Sequence, residues 1–490
     1  MGVDALSILK TGKDRHGETL PLFFKGFSYD NTSPYQVYLT VPFVGLFGLN
    51  ETAVRLVPVF WSTIELLVFY SLLTQFIPKS FALLGTFLLS ISPWHFHISR
   101  INMGDYYFWT FLTLTAFLFL AKAFKQKQGK YFILASSFLG LASYSYTPAR
   151  LTTPLLVSLT ILLLLAKKYF RTALLVGLIY TLILLPSVHF HLTDPHSFQR
   201  IKDTMGIDIK NRTALSQPKE SLDHHFLTKY LLHFSDAFLF EKGDVDFPGQ
   251  FIRRHSISGL GLLYPYQKWL ILLGLGWTVK EISRKRKASL FFLFFLLFLF
   301  PLADSLTNEK TPFATRSYLG VLPFHLLIAF GIYSIFEVFL SRSLKLKAAQ
   351  ISLSAFLFFL IFQSFSTLLY HFKMNPLTTS DFWGWQYGPR EIMKYFLATK
   401  DSYDELYMSS EFNGAEIFLK FYDPQNKCQH KCKIGDFWRE PTIYNPQKRQ
   451  LFSLSQEYLN NSIFKNNFLI QYFLYYPNGK IAFLIGEITK

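Results

Sequence analysis

The sequence predicts a polytopic α-helical membrane protein of about ten transmembrane helices, followed by a small α/β domain. Three observations carry that expectation. Half of the 490 residues are hydrophobic and 18% are aromatic, while only 17% are charged, against roughly a quarter in soluble domains. Several apolar runs have the length of about 20 residues that a helix needs to cross a hydrocarbon core; "SLFFLFFLLFLFPLADSL" (289–306) is the clearest. Finally, the cations gather in short connections that alternate along the chain with much less basic ones, as a serpentine path demands.

The elements follow in order. Residues 1–52 form a polar first loop, with Asp4, Asp14, His16, Glu18 and Asp30 in its opening part. Its second part, "SPYQVYLTVPFVGLFGLN" (33–50), is apolar but interrupted by Pro34, Pro42 and Gly45, and reads as a helix lying in the membrane interface. A transmembrane region, 53–370, holds spans expected near 53–77, 79–98, 106–122, 131–147, 150–166, 171–190, 266–283, 288–306, 314–340 and 348–370. A long connection, 190–265, interrupts it. The tail, 371–490, changes to acids, amides and alternating patterns such as "KIAFLIGEI" and reads as an extracytoplasmic α/β domain containing an amphipathic helix in "GPREIMKYFLATK".

Orientation follows from the cations. Lys79, then Lys122, Lys125, Lys127 and Lys130, then Lys167, Lys168 and Arg171 mark one side. Lys280, Arg284, Lys285, Arg286, Lys287, Arg342, Lys345 and Lys347 continue it. The Lys/Arg bias makes that side cytoplasmic, so the net charge of +17 reports topology and not nucleic-acid binding; no basic-aromatic nucleic-acid module is present. Both ends, the first loop and the 190–265 connection then lie outside the cytoplasm, at a plasma membrane. Ten spans leave the polar opening with nothing to carry it across, and one further helix upstream of Met1 is the expected explanation. Cys428 and Cys432 in "KCQHKC" suit a local disulfide in that compartment or free thiols; with His430 they fall one ligand short of a closed zinc site.

With all long polar segments on one face, that face is where a membrane enzyme would meet a lipid-borne substrate. Such an enzyme needs cations for a phosphate and a carboxylate for proton transfer. The candidates gather at outer span ends. "SPWHFHISRINMGDYYFW" places Arg100 and Asp105 about a short turn; its aromatics suit an interfacial belt, but an acid at the lipid boundary needs a partner or a function. "SYSYTPARLTTP" brings Tyr146 and Arg150 together, and the planar guanidinium of Arg150 suits a phosphate. Arg55 opens its span with Glu51 one turn earlier, so an ion pair within the helix is its plainer reading. Arg253, Arg254 and His255 form a compact basic cluster, and Arg316 stands near a helix start, which itself favours an anion. Glycine-rich phosphate loops, serine nucleophile elbows and HExxH helices are absent.

The stretches "ALSILKTGKDRHGETLPLFFKGF", "SPYQVYLTVPFVGLFGLNETAVRL", "SPWHFHISR", "SYTPARLTTP", "FLFEKGD" and "RRHSISGLGLLYP" together resemble bacterial C-type membrane glycosyltransferases. The resemblance is to the branch of protein O-mannosyltransferases and lipid A aminoarabinose transferase, and runs in order over nearly all of residues 4–330. It implies a transferase that takes a sugar from a polyprenyl-phosphate carrier on the outer face and passes it to a lipid, protein or glycan acceptor. It places Asp14 and His16 in the polar part of the first loop, Arg100 in the serine–arginine turn, and Asp105 where relatives often carry an acid. Arg150 and the Arg254–His255 pair match positions for the carrier phosphate. The acidic pair of the family's first loop would fall just before Met1, and Thr32 stands near the place of a frequent lysine.

The expectation is therefore an inverting glycosyltransferase with Asp14 and Asp105 as catalytic carboxylates. His16, Arg55, Arg100, Tyr146, Arg150, Arg254, His255 and Arg316 are its carrier-binding groups. No cofactor is called for; a divalent metal ion stays open as an alternative, with no ligand set assigned. Its partners are the lipid-linked sugar, the acceptor and the bilayer. The alternatives are a transporter or flippase of lipid-linked sugars, which needs ionisable groups at mid-membrane, and a catalytically inactive relative that binds the lipid.

Overall fold

The computed structural model describes residues 1–489 except 27–30, 199–221, 286–287, 310, 341–346 and 436–439. Asp30 and the cations Arg286, Lys287, Arg342 and Lys345 thus lie outside the described residues.

Seven described segments are long and apolar enough to cross a membrane. They are Glu51–Leu73, Tyr106–Gln126, Ala149–Ala166, Phe170–Thr193, Ala288–Ser305, Tyr318–Val338 and Ser354–Thr379. Three more of the ten expected spans fall short of that length or composition, each for a local reason. Residues 79–98 break into Lys79–Ser90 and Pro93–Ile98, because Pro93 has no N–H to continue the ladder and disfavours helical backbone at Ser92. Residues 131–147 yield a helix of only 14 residues, Gly129–Ala142. The helix Gln267–Lys285 has 19 residues but carries Lys268, Lys280, Glu281 and Arg284. It packs closely all the same: a Cβ on Gly274 would stand 2.0 Å from the Leu327 carbonyl oxygen, and one on Gly331 2.0 Å from that of Leu270. Such reciprocal small-residue contacts let helix backbones approach where lipid supplies no hydrophobic drive.

The interfacial stretch folds as two short helices, Pro34–Tyr38 and Val41–Phe47, split because Thr40–Val41–Pro42 restarts the chain. Leu46 and Phe47 are exposed. The following span is launched by Asn50, whose side chain accepts the Ala53 N–H at 2.8 Å, an N-cap. Midway along it stands Glu65, wholly buried, with His95 Nε2 3.5 Å from its carboxylate.

The last long helix, Lys347–Thr379, runs past residue 371, so the tail domain begins after it. That domain opens with the amphipathic helix Pro389–Thr399. Its sheet holds β3 (Glu405–Met408), β4 (Cys432–Ile434), β5 (Gln450–Leu454), β6 (Phe468–Tyr475) and β7 (Ile481–Ile488) in the order β4-β3-β5-β7-β6. β3 pairs parallel with β4 and β5; β7 runs antiparallel to β5 and β6. Cys428 and Cys432 form a disulfide. The remaining pair, β1 (Phe24–Lys25) and β2 (Asn31–Thr32), makes a small ribbon in the first loop.

Glu405 anchors the tail sheet. It accepts from Lys433 and Lys448 at 2.7 Å each, from Gln450 at 2.7 Å and from Tyr407 at 3.1 Å. Burial alone would raise its pKa, but these donors outweigh burial and hold it down to about 2, below its ordinary 4.5. A depressed folded-state pKa stabilises above the unfolded value, and that contribution disappears as the group protonates. The tail domain is therefore expected to lose stability as pH falls from about 4.5 towards 2, seen as a falling midpoint in denaturant. In Glu405→Gln that acid limb should flatten.

Candidate functional site

At the end of the bundle opposite the Lys125–Lys130 and Lys167–Arg171 connections, a cavity of about 990 Å³ opens. The starts of the helices at residues 51 and 106, the loops carrying 252–255 and 313–316, the first loop and the tail domain enclose it. Six cations, Arg15, Lys25, Arg55, Arg254, Arg316 and Arg390, line it together with His255, against the acids Asp4, Glu51 and Glu391.

The first loop supplies Asp4, in the first turn of helix Gly2–Thr11. It is 3% exposed, and Arg15 reaches it with its backbone N–H and Nη1, both at 3.4 Å. Asp14 and His16 lie in the first loop, as expected, but away from the cavity wall. Asp14 accepts the N–H groups of His16 and Glu18 at 2.9 Å each, which closes a turn, and it is not among the cavity-lining residues. His16 accepts from Arg15 Nε at 3.0 Å and is likewise outside the wall. Glu18 pairs with Lys25.

Arg55 lines the cavity. The ion pair expected within its helix does not form: Glu51 instead accepts Tyr422 Oη–H at 3.1 Å and stands 3.8 Å from Arg390. Both partners come from the tail domain. Residues of the 100–106 turn are tied down by Asn102, which donates to the Val54 carbonyl at 3.0 Å. Tyr106 and Tyr146 meet edge to face at 4.6 Å and both reach the cavity. Asp105 does not; it is buried and accepts the Ser33 hydroxyl at 2.6 Å. Burial pushes its pKa up to about 6, with the Ser33 bond and Arg150 opposing.

Arg100 and Arg150 also sit behind the wall, each held by a histidine. Arg100 Nη2 is 3.1 Å from His97 Nδ1 and its guanidinium lies 4.2 Å above the Phe372 ring. Arg150 Nη1 is 2.8 Å from His191 Nε2, with Phe23 at 4.9 Å. A guanidinium only donates, so each facing imidazole nitrogen is an unprotonated acceptor.

The predicted basic cluster divides. Arg253 pairs with Asp381 and leaves the cavity. Arg254 turns in, with Nη1 donating to the Gly384 carbonyl at 3.1 Å and Nε buried without a protein acceptor. Burial lowers its pKa. His255 Nδ1 lies 3.5 Å from Asp244, which itself accepts the Ala314 N–H at 3.0 Å. Arg316 reaches the cavity already matched. It binds Glu309 through both Nη atoms at 2.8 Å and contacts Asp304 at 3.3 Å. Burial works against its charge, but these carboxylates outweigh that and raise its pKa, while Arg316 holds Glu309 down to about 2 despite burial. Arg254 and Arg55 therefore carry net positive charge into the cavity, and Arg316 is neutralised by its neighbours.

Sequence reading missed Arg15, Lys25 and Arg390 as cavity cations. Nothing local marks them; two sit in a polar loop and the third at the start of a helix in another domain. Among the described residues no three His, Cys, Asp or Glu side chains converge as metal ligands.

With this geometry in hand, the chain can be compared with known proteins. Residues 31–190 match the family model of dolichyl-phosphate-mannose-protein mannosyltransferase. No curated protein matches the sequence. ArnT from Cupriavidus metallidurans bound to undecaprenyl phosphate is similar in fold, with TM-score 0.52 and 11% identity over 99% of this chain and 92% of that one. The archaeal oligosaccharyltransferase AglB from Archaeoglobus fulgidus, in complex with an inhibitory peptide and a dolichol-phosphate, has TM-score 0.52 and 11% identity over 98% of this chain. The chain spans 69% of that protein's length, and 66% of that of an Archaeoglobus fulgidus oligosaccharyltransferase in the apo form. At 11% identity the likeness to ArnT and AglB is one of fold.

Proposed function

We propose that this protein transfers a sugar from a polyprenyl-phosphate carrier to a lipid, protein or glycan acceptor. The reaction would run in the cavity, on the face of the plasma membrane opposite the Lys/Arg-rich connections, which the charge bias assigns to the outside. The observation that carries this reading is the cavity itself: a cation-rich chamber at one end of a membrane bundle, with Asp4 in its wall. Two structures similar in fold support it: ArnT from Cupriavidus metallidurans is bound to undecaprenyl phosphate, and AglB from Archaeoglobus fulgidus is in complex with a dolichol-phosphate.

The chemistry is a single displacement. Asp4 accepts the proton of an acceptor hydroxyl, and that oxygen attacks the anomeric carbon. The bond from that carbon to the phosphate oxygen breaks, and the polyprenyl phosphate leaves with the electron pair. Arg254 and Arg55 meet the developing negative charge, where low dielectric strengthens each contact. Arg254 is expected to matter most, because its buried Nε lacks a protein acceptor. Charge-assisted hydrogen bonds contribute about 1.5–3 kcal/mol each. Arg254→Ala is therefore expected to weaken binding of the carrier by about 10–100-fold, measured with labelled polyprenyl-phosphate sugar in membranes carrying the protein. Wild-type membranes that neither bind the carrier nor transfer its sugar would overturn the reading.

A further inference from the structure

The short helix Pro93–Ile98 carries His97, wholly buried. No part of the chemistry above uses it, yet it touches two of the cations. Arg100 Nη2 lies 3.1 Å from its Nδ1. Its Nε2 lies 3.0 Å from the main-chain carbonyl oxygen of Arg254. These two contacts determine where its proton resides. The guanidinium of Arg100 can only donate, so Nδ1 is the acceptor. A carbonyl oxygen can only accept, so Nε2 carries the hydrogen. Only the neutral Nε2–H tautomer satisfies both; an imidazolium would set an N–H against a guanidinium N–H.

The segment that His97 grips has no regular structure of its own. Residues 251–253 and 257 carry no helix or strand, so the Arg254 main chain depends on contacts from elsewhere. The Arg253 N–H is held by the Trp383 carbonyl at 3.0 Å, and the Arg254 guanidinium by the Gly384 carbonyl at 3.1 Å. His97 provides the hold from the bundle. The helix that carries it is itself fixed: the Trp94 N–H donates to the Leu262 carbonyl at 3.2 Å, and Trp94 Nε1 to the Ala314 carbonyl at 2.9 Å. A neutral imidazole also holds Arg254 without cancelling its charge, as the carboxylates around Arg316 do for theirs.

We infer that His97 is a positioning residue for the lipid phosphate. It anchors the main chain of Arg254 so that the guanidinium meets the phosphate, and Arg100 selects the one tautomer able to do so. This rests on the reading of the cavity as a polyprenyl-phosphate site.

Three variants separate the two ring nitrogens. Gln at 97 offers an amide N–H near the place of Nε2, and Asn an oxygen near that of Nδ1; Phe offers neither. The full-length protein in detergent is titrated with polyprenyl phosphate alone, and KM and kcat are measured with the labelled sugar donor. His97→Phe and His97→Asn should raise the Kd and the donor KM about 10-fold, with kcat changed much less, and His97→Gln should restore most of the affinity. A purely structural role predicts that Asn and Gln behave alike, and that result overturns the inference. Wild-type protein that binds no polyprenyl phosphate overturns the functional reading and this inference with it. Wild-type binding that all three variants retain overturns the inference alone. Independently of activity, 15N shifts of labelled histidine, assigned by loss of the signal in His97→Gln, should report a neutral Nε2–H ring from pH 6 to 8. The Nδ1–H tautomer or an imidazolium there overturns it.

Discussion

Replacing Asp304 by Asn is expected to cost about 3–5 kcal/mol of stability, the range seen when one partner of a buried ionic group is removed. Asp304 is wholly buried and gathers four groups. It accepts from His233 Nε2 at 3.0 Å and from the Phe313 N–H at 2.8 Å, and stands 3.5 Å from Lys229 Nζ and 3.3 Å from Arg316 Nη1. Lys229 is 1% exposed and also donates to the Thr307 hydroxyl at 2.7 Å. Removing the carboxylate charge leaves a buried ammonium facing a neutral amide. The damage should reach the cavity, because the network ties down Phe313 and Arg316, which line it with Thr315. Thermal inactivation of the detergent-solubilised protein should thus begin at a clearly lower temperature. The exposed pair of Asp236 and Lys268 is the control, since exposed ion pairs contribute little: Asp236→Asn should leave the profile almost unchanged. Equal behaviour of the two variants would contradict the network's role.

The largest effect on turnover is expected from Asp4→Asn. General-base catalysis typically contributes 10²–10⁴-fold, and an amide cannot take the acceptor's proton. Asp4 lines the cavity, whereas Asp14 accepts two backbone N–H groups within its own turn. Single-turnover transfer from bound donor should fall about 10²–10⁴-fold in Asp4→Asn, while carrier affinity, set by the arginines, changes little. Asp14→Asn is the discriminating comparison. A large loss there, with Asp4→Asn still active, would return the role to Asp14, where the sequence had placed it. Asp105 differs again: it sits behind the wall, bonded to Ser33, next to the cavity-lining Tyr106.

Much of the architecture was legible in advance because it is written at short range. Helical spans need a contiguous apolar run, and lipid offers the backbone no other partner; the Leu- and Phe-rich segments therefore had one available conformation. The clustering of cations at one set of turns was equally local. The expected spans and the structure part where composition was ambiguous. A single Pro93 broke one expected span, and scattered charge in Gln267–Lys285 left a helix that packs like a span without the hydropathy of one. The site was only half legible. Of the expected groups, Arg55, Tyr146, Arg254, His255 and Arg316 line one cavity. Yet the sequence could not tell Arg316, neutralised by Glu309 and Asp304, from Arg254, which keeps its charge.

By itself the sequence determined the membrane class, the connections in which cations gather and the change of composition that marks the tail. Each of these depends on composition and spacing within some twenty residues. Only the tertiary structure decided which charged groups share a cavity, which are cancelled by buried carboxylates, and that Arg390 and Tyr422 meet Glu51 across more than 300 positions of chain. The reason is physical. Electrostatics and hydrogen bonding act through space over a few ångströms, and no local pattern records which distant side chain will be there.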